Sequence, residues 1–198
     1  MNTLPKDIFR QHGGQLKMSQ AISLGMTRYM LYSMLDKGIL EKVTRGVYRL
    51  KELEPLSNPD LVTIAVRFPK AVVCLISALA FHEITTQVPH EVAVAVPKDS
   101  RTIKLQSPPV VTHKFSKESY QEGIERHMID DTTVQVYSPE KTLADCFKFR
   151  NKIGMDIFFE TLKLYRSKCK PKIGEILRYS RVCRVESSIK PYLESNLI

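Results

Sequence analysis

The sequence predicts an α+β chain of two unequal domains, on three observations. Helical and β-rich patterns fall in separate blocks, with helices and a hairpin first, a β-rich middle and a helical tail. A polar stretch with two prolines, Lys51 to Pro59, interrupts the blocks and reads as a linker. The positive charge is also divided between the two ends.

The chain has 198 residues, 30 Lys and Arg against 21 Asp and Glu, a net charge of +9, and 43% hydrophobic residues. That composition belongs to globular chains and excludes the disordered, collagen-like and repeat classes. Residues 1–58 hold 9 basic and 5 acidic side chains, net +4. Residues 59–140 hold 8 and 10, and residues 141–198 hold 13 and 6, net +7. Two basic ends around a near-neutral middle imply an anionic partner at one or both ends.

No apolar run approaches the ~20 residues of a membrane span. The opening stretch lacks the apolar core of a secretory signal. The four cysteines, Cys74, Cys146, Cys169 and Cys183, form no CxxC pair. That argues against structural zinc and for reduced, packed thiols in a cytoplasmic protein.

Within residues 1–58, Pro5 opens a first helix at a position where its missing N–H costs nothing, and Gly13-Gly14 ends it. Ser19 reads as the N-cap of a short second helix through Leu24, and Gly25 breaks the chain. Thr27 then caps a third helix, Arg28 to Lys37, stopped by Gly38. The short second helix and tight connection have helix-turn-helix spacing. Ile39 to Val43 and Val47 to Leu50, joined through Thr44-Arg45-Gly46, read as a hairpin. A hairpin placed there is a wing. The predicted fold is therefore an N-terminal winged helix-turn-helix, followed by a larger α+β domain with a small central sheet and a helical C-terminal part.

On a helical wheel, Leu31, Met34 and Leu35 share the core face of the third helix, while Tyr29, Tyr32, Ser33 and Asp36 project outward. Arg28 stands at the end that enters a major groove, where a guanidinium can pair bidentately with guanine. Arg45 lies at the wing tip with Lys42 and Arg49 nearby, suited to phosphate or minor groove. The expected DNA-binding set is Ser19, Thr27, Arg28, Tyr29, Tyr32, Ser33, Lys42, Arg45 and Arg49. The blander alternative is a small core with solvated charges, which leaves the clustering of the arginines unexplained.

From residue 59 to 198, the first helix runs from Asp60 to Phe68. Val92 to Val96 reads as a buried strand. Val110 to Lys114, Gly123 to Ile129 and Val134 to Tyr137 are further strand candidates, with Asp130-Asp131 as a hairpin turn. The domain is β-rich to about residue 138. Helices follow over Glu140 to Lys152, Asp156 to Lys168, Ile173 to Tyr179 and Ser187 to Leu193.

No nucleotide loop, nucleophile elbow, zinc motif or EF-hand occurs. The five histidines (His12, His82, His90, His113 and His127) lack ligand spacing. Neither catalytic residues, a metal nor a cofactor is expected. Lys168, Lys170, Lys172, Arg178, Arg181 and Arg184 form either solvated helix faces or a second basic surface for an anionic partner.

Several segments in order resemble the AbiEi-type antitoxins. They are Gly13-Gly14, Ser19-Gln20-Ala21, Gly25-Met26-Thr27-Arg28, the wing from Thr44 to Leu50, Leu75 to His82, His90 to Pro97 and Ser138 to Asp145. The resemblance implies an antitoxin of a type IV toxin–antitoxin system, tied to abortive infection and phage defence. It implies a repressor of its own operon that binds double-stranded inverted-repeat DNA, and opposition to a nucleotidyltransferase toxin with direct binding left open. DNA contacts carry over to Thr27, Arg28, Tyr32 and Arg45. Two copies on an inverted repeat could arise by dimerisation or by cooperative loading. The alternatives are a stand-alone winged-helix regulator with a ligand- or protein-sensing second domain, and a nucleic-acid-processing enzyme that docks through its first domain.

Overall fold

A computed structural model of the chain describes residues 4–197. It falls into two compact units. One is the chain up to Phe68 together with Met128–Thr133; the other holds Pro69–His127 and the chain from Val134 onward.

The first unit runs α1 (Pro5–Gln11), β1 (Gln15–Lys17), α2 (Met18–Ser23), α3 (Arg28–Asp36), β2 (Leu40–Thr44), β3 (Val47–Leu50) and α4 (Pro59–Arg67). Its core is Phe9, Leu16, Ala21, Met26, Leu31, Met34, Leu40, Tyr48 and Leu50. Thr27 caps α3, its hydroxyl accepting the Met30 N–H at 3.1 Å. Burial of Leu31 and Met34 follows the expected wheel.

Two local expectations change. Gln15–Lys17 is a strand, so the sheet is three-stranded and antiparallel in the order β1-β3-β2. With a neighbour on each side, β3 is buried along its whole length. The added strand also moves the start of α2 forward. Its N-cap is Lys17, whose backbone N–H donates to the Gln20 side chain at 3.1 Å, and Ser19 lies inside the helix, exposed.

The helix α4, expected to open the second domain after residue 58, groups with the first unit. Asn58 caps it, its side chain accepting the Leu61 N–H at 3.2 Å, with Pro59 in the first turn. Pro59, read from the sequence as part of a linker, marks a helix start.

The chain continues with β4 (Val72–Val73), α5 (Leu75–Phe81), β5 (Val92–Pro97), β6 (Val110–Phe115), α6 (Lys117–Gln121), β7 (Ile124–Ile129) and β8 (Thr132–Tyr137), all of the second unit except the β7–β8 tip, Met128–Thr133. It ends with α7 (Pro139–Lys148), α8 (Arg150–Ile153), α9 (Met155–Lys168), α10 (Ile173–Val182) and α11 (Glu186–Leu197). The five strands are ordered β6-β5-β4-β8-β7; β5 runs parallel to β6 and antiparallel to β4, and β4 runs parallel to β8. Asp130 and Asp131, between β7 and β8, both have positive φ (45° and 59°), the geometry of a tight type I′ turn.

The core joins Val72, Ala95 and Tyr137 of the sheet to Leu79, Leu143, Phe147, Phe158, Leu162, Tyr165 and Ile176 of the helices. Glu140 to Phe147 are all buried, which makes α7 the central helix of this unit. Its polar side chains are accordingly paired. Glu140 accepts the Tyr165 hydroxyl at 2.9 Å, and Thr142 donates to the Tyr137 carbonyl. The fully buried Lys141 ammonium lies 2.5 Å and 2.6 Å from the Asp145 carboxylate oxygens. It also sits 4.6 Å and 5.0 Å from the ring centres of Tyr137 and Phe115. Burial pushes the Asp145 carboxyl up, against the pull of that ammonium.

Candidate nucleic-acid interface

The geometry of the first unit follows from the β1–β3 pairing. Lys17 lies opposite Val47, and the Met18 N–H donates to the Gly46 carbonyl at 2.8 Å. These contacts fix the start of α2 beside the wing tip, and so bring Lys17 and Ser19 next to Arg45. Gly46, at φ 76°, supplies the left-handed step that turns the wing.

A groove of about 500 Å³ forms there, lined by Lys17, Ser19, Arg28, Arg45, Arg67 and Phe68 over the apolar side chains of Ile22 and Val47. Four cations from four elements thus face one concavity. None of the four has a salt-bridge partner among the described residues. Among the described residues no acidic side chain lines the groove. Its potential is therefore positive, and the α2 and α3 N-termini add backbone N–H groups nearby.

Sequence reasoning singled out Ser19, Arg28 and Arg45 of this group, and the structure brings them together. It missed Lys17 and Arg67. Lys17 reads as a residue between two helices until β1 is seen. Arg67 stands in the last turn of α4, assigned by sequence to the other domain; its guanidinium lies 5.4 Å from the Phe68 ring centre.

The outward face of α3 adjoins this groove through Arg28 but carries different chemistry. Tyr29 is 81% exposed and Tyr32 48% exposed, large aromatic surfaces for a surface helix. Tyr32 lies against the buried Tyr48, whose phenol is pushed up, first by burial and then by that neighbour. Ser33 is half-buried, and Lys42 is exposed on β2 away from the groove. Thr27 spends its hydroxyl on the cap.

Arg49 does not join the expected set. It sits on the central strand β3, is 6% exposed, pairs with Glu41 at 3.3 Å and donates to the Glu54 carbonyl. Its role is to satisfy the interior of the sheet.

The C-terminal cations differ from those of the groove. Arg178 pairs with Glu122 at 2.6 Å and Glu175 at 2.9 Å, and Arg181 with Glu186 at 2.7 Å. Lys168 lies near Glu83, and Lys172 near Glu140. Only Lys170 and Arg184 of the six have no such partner among the described residues. Four of the six expected surface cations are thus already opposed by acids of the same unit.

The cysteines Cys74, Cys146 and Cys183 are buried, and burial pushes all three thiols up. Cys183 donates to Asp145 at 3.1 Å. Among the described residues no group of three or more His, Cys, Asp or Glu could hold a metal ion. No described helix is long and apolar enough to cross a membrane.

Comparison with known proteins bears on both units. The crystal structure of the RV2827C protein from Mycobacterium tuberculosis is similar to this chain, with a TM-score of 0.56 and 12% sequence identity. The match covers 88% of this chain and 69% of that chain, and at such identity it is a likeness of fold. A search of curated proteins gives no match. The family model described as "Transcriptional regulator, AbiEi antitoxin" matches residues 4–51, which span α1 to the end of the wing. The helix-turn-helix, the wing and that match thus fall in one segment, and over residues 4–51 the chain is similar to the transcriptional regulators of the AbiEi antitoxin family.

Proposed function

We propose that the chain is a DNA-binding antitoxin that represses its own operon. In this reading α3 enters the major groove of an inverted-repeat operator, with Arg28 at a base edge and Tyr29 and Tyr32 toward the backbone. Arg45 at the wing, with Lys17 and Arg67, holds the adjacent phosphates. Two copies occupy the two half-sites. The remainder of the chain counters a nucleotidyltransferase toxin encoded beside it, in the cytoplasm.

The observation that carries the DNA reading is the groove of four cations without acidic partners beside an exposed aromatic helix face. The family match of residues 4–51 supports it. The toxin part rests on the family's antitoxin character alone.

The test is fluorescence anisotropy of the full chain on DNA from upstream of its own gene, in a salt series. Salt-dependent binding, tighter than to scrambled DNA and lost together with the four cations, supports the reading. Equal binding to both DNAs sinks the operator assignment. Co-expression with the neighbouring gene tests the antitoxin part: relief of its growth inhibition supports it, and growth arrest unchanged by this chain removes it.

A further inference from the structure

The second unit contains a cavity that DNA binding does not use. It has a volume of about 460 Å³, within the range of small-molecule sites. Its base is apolar, formed by Leu75, Ile76, Val111 and Ile153. Its polar side chains are Ser77, Gln87, His90, Glu91, His113 and Lys152, with one anion, one cation and two imidazoles among them.

The walls are fixed by contacts on the page. Ser77 is buried, and its hydroxyl accepts the Ala93 N–H at 2.9 Å, tying α5 to β5 behind the cavity. The His113 ring stands edge-on to Phe149 at 5.6 Å, so its orientation is set by packing. The third wall is the segment carrying Gln87, Val88 and Pro89. Its base is held by Glu160, which accepts the Thr85 hydroxyl at 3.0 Å and the Thr86 N–H at 2.6 Å. Lys168 donates to the Glu83 carbonyl at 2.7 Å, a use for one of the C-terminal lysines. The wall is therefore anchored while Val88 at its crest remains 79% exposed, a large apolar surface beside the opening.

Two charges of the lining lack partners: neither Lys152 nor Glu91 has a salt bridge among the described residues. Both act on His113. Burial first, and then the Lys152 charge, push its imidazole down, and the Glu91 charge pushes it up. A ligand with one charge can pair with only one of these two exposed groups, whereas one with both charges can make a charge-assisted hydrogen bond at each. An apolar body with both an anionic and a cationic group matches these two charges and the apolar side chains of the lining.

We infer that this cavity binds a zwitterionic apolar amino acid, its carboxylate toward Lys152, its ammonium toward Glu91 and its side chain on the Leu75, Ile76, Val111 and Ile153 base. Charge-assisted hydrogen bonds at both ends select for the free amino acid over derivatives that block either end.

The test is 1H–15N NMR titration of the full chain with L-phenylalanine, L-leucine and L-methionine, and with N-acetyl-L-phenylalanine and L-phenylalaninamide. At least one free amino acid is expected to shift resonances of residues 75–77, 87–91, 111–113 and 152–153 saturably. The two blocked phenylalanine derivatives are expected to bind at least tenfold more weakly than L-phenylalanine. Lys152→Gln should erase the preference over the amide, and Glu91→Gln the preference over the N-acetyl form. Both side chains are exposed, so the variants should keep the parent's spectrum elsewhere. No saturable shifts with any of the three amino acids, or equal affinity for blocked and free phenylalanine, overturns the inference. Retained end-group preference in both variants overturns it as well.

Discussion

Arg49 and Glu41 face each other across the β2–β3 ladder, the guanidinium 3.3 Å from the carboxylate and its side chain only 8% exposed. With the Glu54 carbonyl as a second acceptor, Arg49 closes the inner strand of the wing sheet. Removing it strands acceptors in a partly buried place. We expect Arg49→Ala to cost about 2–3 kcal/mol. Urea unfolding at pH 7 checks this. DNA affinity measured well below the transition should keep its salt slope, because the residue neutralises no phosphate.

The groove cations behave differently. Arg45→Ala, Lys17→Ala and Arg67→Ala should each lower the slope of log K against log salt by about 1, near the value for one released phosphate contact. Stability should hardly move, since none of the three has a salt-bridge partner among the described residues. Arg28→Ala should instead relax preference at one base pair by about 1–3 kcal/mol. Anisotropy on single-substitution operators separates the two behaviours. If Arg178→Ala lowers the slope as much as Arg45→Ala, the assignment of the face fails.

The Lys141–Asp145 pair is fully buried on the central helix, with no water to replace a lost partner. We expect Lys141→Ala to cost about 3–5 kcal/mol. The double variant Lys141→Met, Asp145→Leu should recover most of that loss, because an apolar pair of similar volume needs no desolvation. Gly123→Ala tests the same place from outside. At φ 71° an added Cβ stands 2.6 Å from the Lys141 Cβ, which the ion pair holds still. Thermal unfolding should place this variant below the parent.

Two histidines give the fold a pH dependence of fixed sign. Burial holds the imidazoles of His82 and His113 below the usual range. The unfolded chain therefore binds these protons more readily. Their stabilising contribution is complete above about pH 6.5 and is lost as pH falls through that value toward their lowered folded pKa. We expect the urea midpoint to fall between pH 7.5 and pH 5.5. The fall should be smaller in His82→Gln, His113→Gln, although His82→Gln also loses the 2.7 Å hydrogen bond to the Tyr137 carbonyl. An equal fall in parent and variant assigns the effect elsewhere.

Much of the architecture is legible in the sequence because its punctuation is local. Thr27 before Arg28, Gly46 in the wing and Asp130-Asp131 between strands act through their own backbone, and each marks the element the structure shows. Elements too short to have a period are not legible. Gln15–Lys17 and Val72–Val73 become strands only because β3 and β5 offer them partners. The fate of Arg49 is likewise non-local: nothing in Val47 to Leu50 reveals that a third strand covers it. Arg67 was hidden by the prolines at 55 and 59, whose second member starts the helix that delivers it. The candidate site is thus half legible, with Arg28 and Arg45 marked by the motif and Lys17 and Arg67 by tertiary pairing alone.

The four groove cations come from the end of β1, the head of α3, the wing and the tail of α4. No short linear piece of the chain can reproduce that arrangement. A synthetic peptide of α3, or the same helix grafted onto another scaffold, carries Arg28 and the tyrosines without the three cations that the proposed binding mode sets against the flanking backbone. It would keep whatever base preference Arg28 confers and lose the affinity that makes such a preference useful.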